Sequence, residues 1–241
     1  MKYTEHYNIR WHDTDALREL RPSAALMYMQ ETANRQFLAA GTTLDEMRDR
    51  TGNAFLLSRM AIELNAPLHA YDDIEVDTFT CPAHGATFPR GFEIRKNGLI
   101  VARATSNWAL VRLSDRSLVR AEEQPLCFED EPEMTVSMPL RHRAARDAVW
   151  QTVGTRRIVY ADLDYNLHMN NTKYPDMLCD FLPDPIGTRV TGLSLSYLRE
   201  AAFGDTLTVE RADGGTGVYY FRTRKGEDIC LEAMVRTEKR T

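Results

Sequence analysis

A long internal repeat constrains the fold of this chain more than any other feature of the sequence. Residues 9–15 (Ile-Arg-Trp-His-Asp-Thr-Asp) align with residues 158–164 (Ile-Val-Tyr-Ala-Asp-Leu-Asp) at an offset of 149 residues. Further along, Asp72 aligns with Asp205 at an offset of 133 residues. The smaller offset means that the first copy carries 16 additional residues between these two points. The chain is therefore predicted to build one structural unit twice.

Each copy has the pattern of a strand, a helix and a run of antiparallel strands. In the first copy the helix opens at Pro22, and apolar residues recur every four positions from Ala25 to Phe37, which gives the helix one apolar face. A second short helix near residues 43–50 accounts for the additional residues. Strands are predicted near residues 3–11, 54–66, 73–81, 88–96 and 99–113, and again near residues 156–160, 189–199, 206–212, 217–224 and 228–237.

This order of elements predicts an α+β fold with two antiparallel sheets, each wrapped around a helix that buries its apolar face. The predicted boundaries are a first domain over residues 1–125, a linker over residues 126–152 and a second domain over residues 153–241. The linker is assigned because this part of the chain is rich in Pro, Glu and Arg.

The composition excludes several classes of function. The net charge is −5, with 43% hydrophobic and 27% charged residues, which is ordinary for a folded protein and argues against attraction of nucleic acid to the whole surface. The longest apolar stretches are far shorter than the roughly 20 residues of a membrane-spanning helix. The first residues also lack the apolar core of a signal peptide. We therefore expect a cytoplasmic protein with no membrane and no nucleic-acid partner.

The sequence contains no motif for a metal or a cofactor. Its four cysteines are far apart and form no Cys-x-x-Cys pair, so they are expected to be free thiols. Walker and His-Glu-x-x-His motifs are absent. Residues 192–196 resemble a nucleophile elbow, but the last position is Ser where the motif has Gly, and apolar and polar residues alternate there as in a strand. We predict no cofactor and no metal site.

The densest polar cluster of the sequence lies between residues 162 and 174. Within it, Asp164, Asn166 and His168 alternate with apolar residues, so an extended segment would place all three on one side. Asn170 or Asn171 is then suited to cap the helix that follows. A carboxylate, an imidazole and the amide groups of a helix start suit the hydrolysis of an activated acyl group. The alternative is a polar turn whose side chains only satisfy the local backbone.

The repeat favours the chemical interpretation. At the positions of Asp164, Asn166 and His168, the first copy has Asp15, Leu17 and Glu19. Only the first carboxylate is shared, so the second copy alone holds the amide and the imidazole. The second half is therefore the predicted chemical half, and the first half is the predicted scaffold and pocket wall.

The run from Asp162 to Tyr174 (Asp-Leu-Asp-x-Asn-x-His-x-Asn-Asn-x-Lys-Tyr) resembles the signature of plant and bacterial acyl-acyl-carrier-protein thioesterases. Residues 195–200 resemble the strand that carries the catalytic glutamate of this family, and residues 28–31, 57–60 and 90–94 resemble its N-terminal repeat. The resemblance implies two tandem hotdog domains, each an antiparallel sheet around a central helix. It also implies hydrolysis of fatty acyl thioesters on acyl carrier protein, which ends chain elongation.

Carried over position by position, the resemblance assigns the family's catalytic residues to Asp164, Asn166, His168 and Glu200. Asp164 would be the nucleophile or the general base, with Asn166 and His168 positioning it and polarising the thioester carbonyl, and Glu200 would orient or activate water. Plant members often have Cys after this glutamate, but the chain has Ala201, so a papain-like Cys–His mechanism is excluded at this position. The alternative for Glu200 is an ion pair with Arg199 or Lys173.

The resemblance also implies an apolar slot and an acidic partner, acyl carrier protein carrying a fatty acyl chain. Candidate slot residues in the first half are Met27, Met29, Phe37, Phe55, Leu57 and Met60. The arginines of residues 140–157 are a predicted docking patch for the carrier: Arg141, Arg143, Arg146, Arg156 and Arg157. Three alternatives stay open, namely an acyl-coenzyme A thioesterase, a hotdog dehydratase and a non-catalytic acyl-thioester sensor. The oligomeric state is predicted to be a monomer or a homodimer.

Overall fold

The structure, a computed structural model, describes residues 1–240 and contains the repeated order of elements. The first copy consists of β1 (Tyr3–Asn8), α1 (Pro22–Ala39), α2 (Leu44–Thr51), β2 (Asn53–Leu64), β3 (Asp73–Thr80), β4 (Thr87–Lys96) and β5 (Leu99–Arg112). The second copy consists of β6 (Gln151–Arg157), α3 (Lys173–Asp180), β7 (Thr188–Tyr197), β8 (Thr206–Asp213), β9 (Val218–Lys225) and β10 (Asp228–Lys239). Helix α2 lies in the predicted 16-residue insertion and has no counterpart in the second copy.

The alignment offsets found in the sequence are also present in the backbone. A short 3-10 turn covers Trp11–Asp13 in the first copy and Tyr160–Asp162 in the second, 149 residues later. After these turns, Glu19 forms an isolated bridge with His69, and His168 forms the equivalent bridge with Ala202. The two partners of each bridge follow the two offsets, 149 and 133 residues, so the predicted repeat is confirmed.

The two predicted sheets are joined edge to edge into one continuous sheet. The ten strands have the order β1-β3-β4-β5-β2-β7-β10-β9-β8-β6. The halves meet where β2 pairs with β7 in antiparallel register, with Ala61 opposite Ser194. These two strands would otherwise be sheet edges with unpaired backbone groups, and their pairing satisfies those groups. Each half nevertheless keeps its own helix against its own part of the sheet.

Helices α1 and α3 pack on one face of this sheet and share a single core. Leu26 and Met29 of α1 are fully buried, as are Leu178 of α3 and Leu195 of β7, and all four belong to one cluster. Helix α1 also contacts α3 directly. The two halves therefore pack against each other and share a hydrophobic core. Within residues 1–240, no helix is both long enough and apolar enough to cross a bilayer.

The segment between β5 and β6 crosses the other face of the sheet, over the seam between β2 and β7. Met138 is buried there, and a Cβ atom on Gly192 would lie only 2.5 Å from its Sδ atom. The N–H of Ser137 donates to Glu63 of β2 at 2.7 Å, and Nδ1 of His142 is hydrogen-bonded to Oγ of Ser194 at 2.7 Å. Strand β6 begins at Gln151, two residues inside the predicted linker, and the domain boundaries themselves stay a prediction.

Candidate active site

The predicted catalytic run is a closed turn and not an extended segment. Leu163 pairs with Met169, and the N–H of Asp164 donates to the carbonyl of His168 at 2.9 Å. The Asp164 carboxylate accepts the N–H of Asn166 at 2.8 Å, and Leu167 has a φ of 63°. The predicted alternation of faces is therefore wrong, because the chain reverses direction between Asp164 and His168. The residues are nevertheless brought together, since the two ends of the turn are paired.

Buried Asp162 holds this turn in place. It is 4% exposed, and its carboxylate accepts the N–H of Val159 at 2.9 Å and a guanidinium N–H of Arg156 at 2.5 Å. The equivalent residue of the first copy, Asp13, is also buried and accepts the hydroxyl of Tyr28 at 2.6 Å. The first aspartate of the motif therefore has a structural role in both halves.

His168 and Glu200 face each other across the site. Their Nε2 and Oε2 atoms are 3.5 Å apart, although the two residues come from different elements. Glu200 lies just beyond the end of β7, and the N–H of Met169 donates to the carbonyl of Ala201 at 2.8 Å, which fixes the turn against this segment. Arg199 instead pairs with Asp228 at 3.3 Å. Glu200 therefore contacts the imidazole of His168 and not its basic sequence neighbour.

The other two predicted residues occupy different positions in the turn. Asp164 is half-buried and lies at the start of the turn, whereas Asn166 is exposed at its tip. In residues 1–240 the side-chain amide of Asn166 has no hydrogen-bond partner, and no hydrogen bond joins the side chains of Asp164 and His168. Within these residues Asp164 and Asn166 thus have no side-chain partner, and the direct side-chain pair of the site is His168 with Glu200.

The segment directly before α3 contains one candidate amide donor. The N-cap of α3 is Thr172, so the prediction of a cap at Asn170 or Asn171 is wrong; the Asn170 side-chain oxygen instead accepts the N–H and the hydroxyl of Thr172, at 2.9 and 2.8 Å. The N–H of Asn171 has no hydrogen-bond partner in the part of the chain that the structure describes. A free backbone N–H beside the site is a suitable donor to a developing oxyanion.

Asn171 itself is held by two residues to which the sequence analysis gave no role. Gln30 of α1 donates its side-chain amide to Oδ1 of Asn171 at 3.0 Å, and the hydroxyl of Tyr197 donates to the carbonyl of Asn171 at 2.9 Å. Burial raises the pKa of Tyr197 well above its usual value, so this hydroxyl stays protonated and able to donate. The sequence pattern that could have indicated Gln30 is its position: it is a polar residue one helical turn after Leu26, beside the apolar face of α1.

The candidate residues of the acyl slot differ in how deeply they are buried. Met29 and Met60 are fully buried in the core, whereas Met27 is 39% exposed. Phe37 and Phe55 have ring centroids 6.4 Å apart, so α1 and β2 meet through aromatic side chains. Near the site, the guanidinium of Arg48 on α2 lies 5.6 Å from the ring of Tyr165. The additional helix of the first half thus reaches the turn of the second half.

Both halves of the chain match models of known domains. Residues 1–126 match the acyl-ACP thioesterase N-terminal domain, and residues 151–235 match the acyl-ACP thioesterase C-terminal domain. The chain belongs to the acyl-ACP thioesterase family. The resemblance drawn from the motif of residues 162–174 is therefore confirmed.

Curated relatives of this family are similar along most of the chain. A chloroplastic palmitoyl-acyl carrier protein thioesterase of Cuphea hookeriana is 25% identical over 99% of this chain. A palmitoyl-acyl carrier protein thioesterase of Arabidopsis thaliana, also chloroplastic, is 25% identical over 82% of it. The chain spans 62% and 52% of the length of these two relatives.

Solved structures of family members have the same fold. The acyl-ACP thioesterase of Bacteroides thetaiotaomicron superposes with a TM-score of 0.88 at 20% identity, covering 98% of both chains. The 12:0-ACP thioesterase of Umbellularia californica superposes with a TM-score of 0.79 at 20% identity, covering 99% of this chain and 98% of that one. The double hotdog fold of this acyl-ACP thioesterase family member is thus shown, with the two sheets joined into one.

Proposed function

We propose that this chain hydrolyses fatty acyl thioesters of acyl carrier protein, which releases a free fatty acid and ends chain elongation. The observation that carries the proposal is the pairing of His168 with Glu200 at 3.5 Å beside Asp164, in the second half alone. At the equivalent positions the first half has Glu19 and Pro67, which cannot form an imidazole–carboxylate pair. Membership of the acyl-ACP thioesterase family supports the same reaction.

In the proposed reaction, the water oxygen adds to the thioester carbonyl carbon while a carboxylate takes the water proton. Glu200 with His168 activates this water, and Asp164 acts either as a second base or as a nucleophile whose acyl anhydride is then hydrolysed. The negative charge that develops on the carbonyl oxygen is received by the free N–H of Asn171 and the exposed amide of Asn166. The water proton passes from the Glu200 carboxyl to His168, and the leaving thiolate takes it from His168 as the carbon–sulfur bond breaks.

The proposed partner is acyl carrier protein, an acidic protein, so docking requires positive charge on this chain. Arg141, Arg143, Arg146 and Arg157 are exposed, whereas Arg156 is committed to Asp162 at 2.5 Å. Four of the five arginines of the predicted patch are therefore free to face a partner. A docking surface of this kind weakens with added salt, because exposed charges are screened over about 8–10 Å at ordinary ionic strength.

The test is release of free fatty acid from a panel of acyl carrier protein thioesters, with the matching coenzyme A thioesters run in parallel. Faster turnover of the carrier-protein substrates supports the proposal. Faster turnover of the coenzyme A substrates would replace the carrier-protein partner with coenzyme A. Tight acyl binding without turnover would indicate a sensor. The cytoplasmic location, the monomeric or homodimeric state and the absence of a cofactor stay predictions from the sequence.

A further inference from the structure

The first half contains a counterpart of the candidate active site, and the repeat relates the two sites residue by residue. A cavity of about 350 Å³ lies beside the first-copy turn. Four of its lining residues are Asp15, Glu19, Pro22 and Cys179. At the offset of 149 residues these correspond to Asp164, His168, Asn171 and Gln30. In each site, the turn and helix start come from one half, and the facing helix residue comes from the other half.

Within residues 1–240, a hydrogen bond from the facing helix to the residue at the helix start is present only at the site with the predicted catalytic residues. Gln30 donates to Oδ1 of Asn171 at 3.0 Å. At the counterpart these two positions are Cys179 and Pro22, which line the same cavity, and the side chain of Pro22 has neither a donor nor an acceptor. The helix residue that can donate a hydrogen bond from a side-chain amide is therefore found only beside the turn that carries the predicted catalytic residues.

The counterpart site is occupied by an ion-pair cluster. Arg240 contacts the Asp15 carboxylate at 2.7 Å and the Glu19 carboxylate at 2.6 Å. The Asp15 carboxylate also accepts the N–H groups of Leu17 and Glu19, at 2.8 and 3.0 Å. Both carboxylates of that turn are thus neutralised by this chain itself. Asp164 has no such cation in residues 1–240, so its turn remains available to a substrate.

The contacts of Asn171 indicate how the hydrogen bond from Gln30 affects its orientation. The residue is held at its side chain by Gln30 and at its carbonyl by Tyr197, while its own N–H remains free. Two fixed contacts limit rotation of the backbone at the start of α3. A donor that is already oriented stabilises an oxyanion without reorganisation during the reaction.

We propose that Gln30, a residue of the scaffold half, is a positioning residue of the thioesterase site: it orients Asn171 so that the free N–H points at the thioester carbonyl. This inference rests on the proposed function. It makes the active site dependent on both halves of the chain. Gln30 acts through Asn171 and not on the substrate itself.

The test is a double-mutant cycle on hydrolysis, with Gln30→Leu, Asn171→Ala and the combined variant. We expect Gln30→Leu to lower kcat about tenfold to a hundredfold with KM within about twofold of wild type, because a misplaced donor acts on the transition state. In the Asn171→Ala background, Gln30→Leu should cost nothing further. The matched control is Cys179→Ala, the equivalent position in the counterpart site, which should leave kcat unchanged.

A second measurement separates this proposal from the proposed function. Amide hydrogen exchange over residues 169–174 should be faster in Gln30→Leu than in wild type, and this readout does not require turnover. Gln30→Met serves as a second variant should Gln30→Leu fail to fold. A kcat within twofold of wild type, losses that add in the double variant, or unchanged exchange would each overturn the role of Gln30. Loss of all turnover in the wild type would overturn the proposed function alone.

Discussion

The segment that crosses the seam of the sheet makes the stability of this protein sensitive to acid through His142. Its Nδ1 atom is hydrogen-bonded to the fully buried Ser194 at 2.7 Å, and its Nε2 atom is buried without a partner in the described residues. Burial, helped by the nearby Arg59, lowers the pKa of His142 from 6.5 to about 4. The neutral imidazole is therefore the form that fits the folded chain.

The sign and size of the effect follow from this shift. The unfolded chain binds a proton at His142 more readily than the folded chain, so stability is complete above about pH 6.5 and falls as the pH decreases from there towards 4. One unit of pKa shift corresponds to about 1.4 kcal/mol, so a decrease from pH 7 to pH 5 costs up to about 2 kcal/mol. Partial exposure of the ring reduces this to about 1–2 kcal/mol.

The assay is urea unfolding at pH 7 and pH 5 for wild type, His142→Asn and the control His12→Asn. Asparagine can keep a hydrogen bond to Ser194 but does not titrate. We expect His142→Asn to lose about 1–2 kcal/mol less stability than wild type over this interval. The exposed His12 should behave as wild type when it is replaced. An equal loss in wild type and His142→Asn would refute the assignment of acid sensitivity to His142.

Three further predictions concern the turn, the helices and the site. Thr43→Ala removes the capping box that Thr43 and Glu46 form on α2, and should lower the free energy of unfolding by about 1 kcal/mol in urea titrations. Tyr28→Phe leaves buried Asp13 without the hydroxyl that it accepts at 2.6 Å, and should cost about 1–3 kcal/mol in the same measurement; no change would contradict the role of Asp13. Glu200→Gln should reduce kcat by about a hundredfold or more, with an unchanged melting temperature, and a smaller reduction would remove Glu200 from the chemistry.

The sequence predicted the elements and their repetition because these depend on local patterns. Alternation of apolar residues marked the strands, and the apolar face from Ala25 to Phe37 marked α1. The change of offset located α2, since an inserted helix adds residues without disturbing the alignment on either side. These patterns involve residues that are close in the sequence, so they can be recognised without the tertiary structure.

The features that the sequence did not predict depend on contacts between distant segments or on backbone strain. Pairing of β2 with β7 joins residues more than a hundred positions apart, and either strand could equally have been an edge. Leu167 adopts a φ of 63°, which glycine or asparagine would have signalled but leucine does not. The bond from Gln30 to Asn171 spans 141 residues and forms only because α1 packs beside α3.

We assign the chemistry to the turn of the second half, and one comparison tests this assignment directly. Asp164→Asn and Asp15→Asn make the same change at equivalent positions, and asparagine can keep the hydrogen bond from the backbone N–H two residues later in each turn. Release of fatty acid from acyl carrier protein thioesters should fall at least about a hundredfold in Asp164→Asn and stay within about twofold of wild type in Asp15→Asn. Equal losses in the two variants, or full activity in Asp164→Asn, would contradict the assignment of the chemistry to the second half.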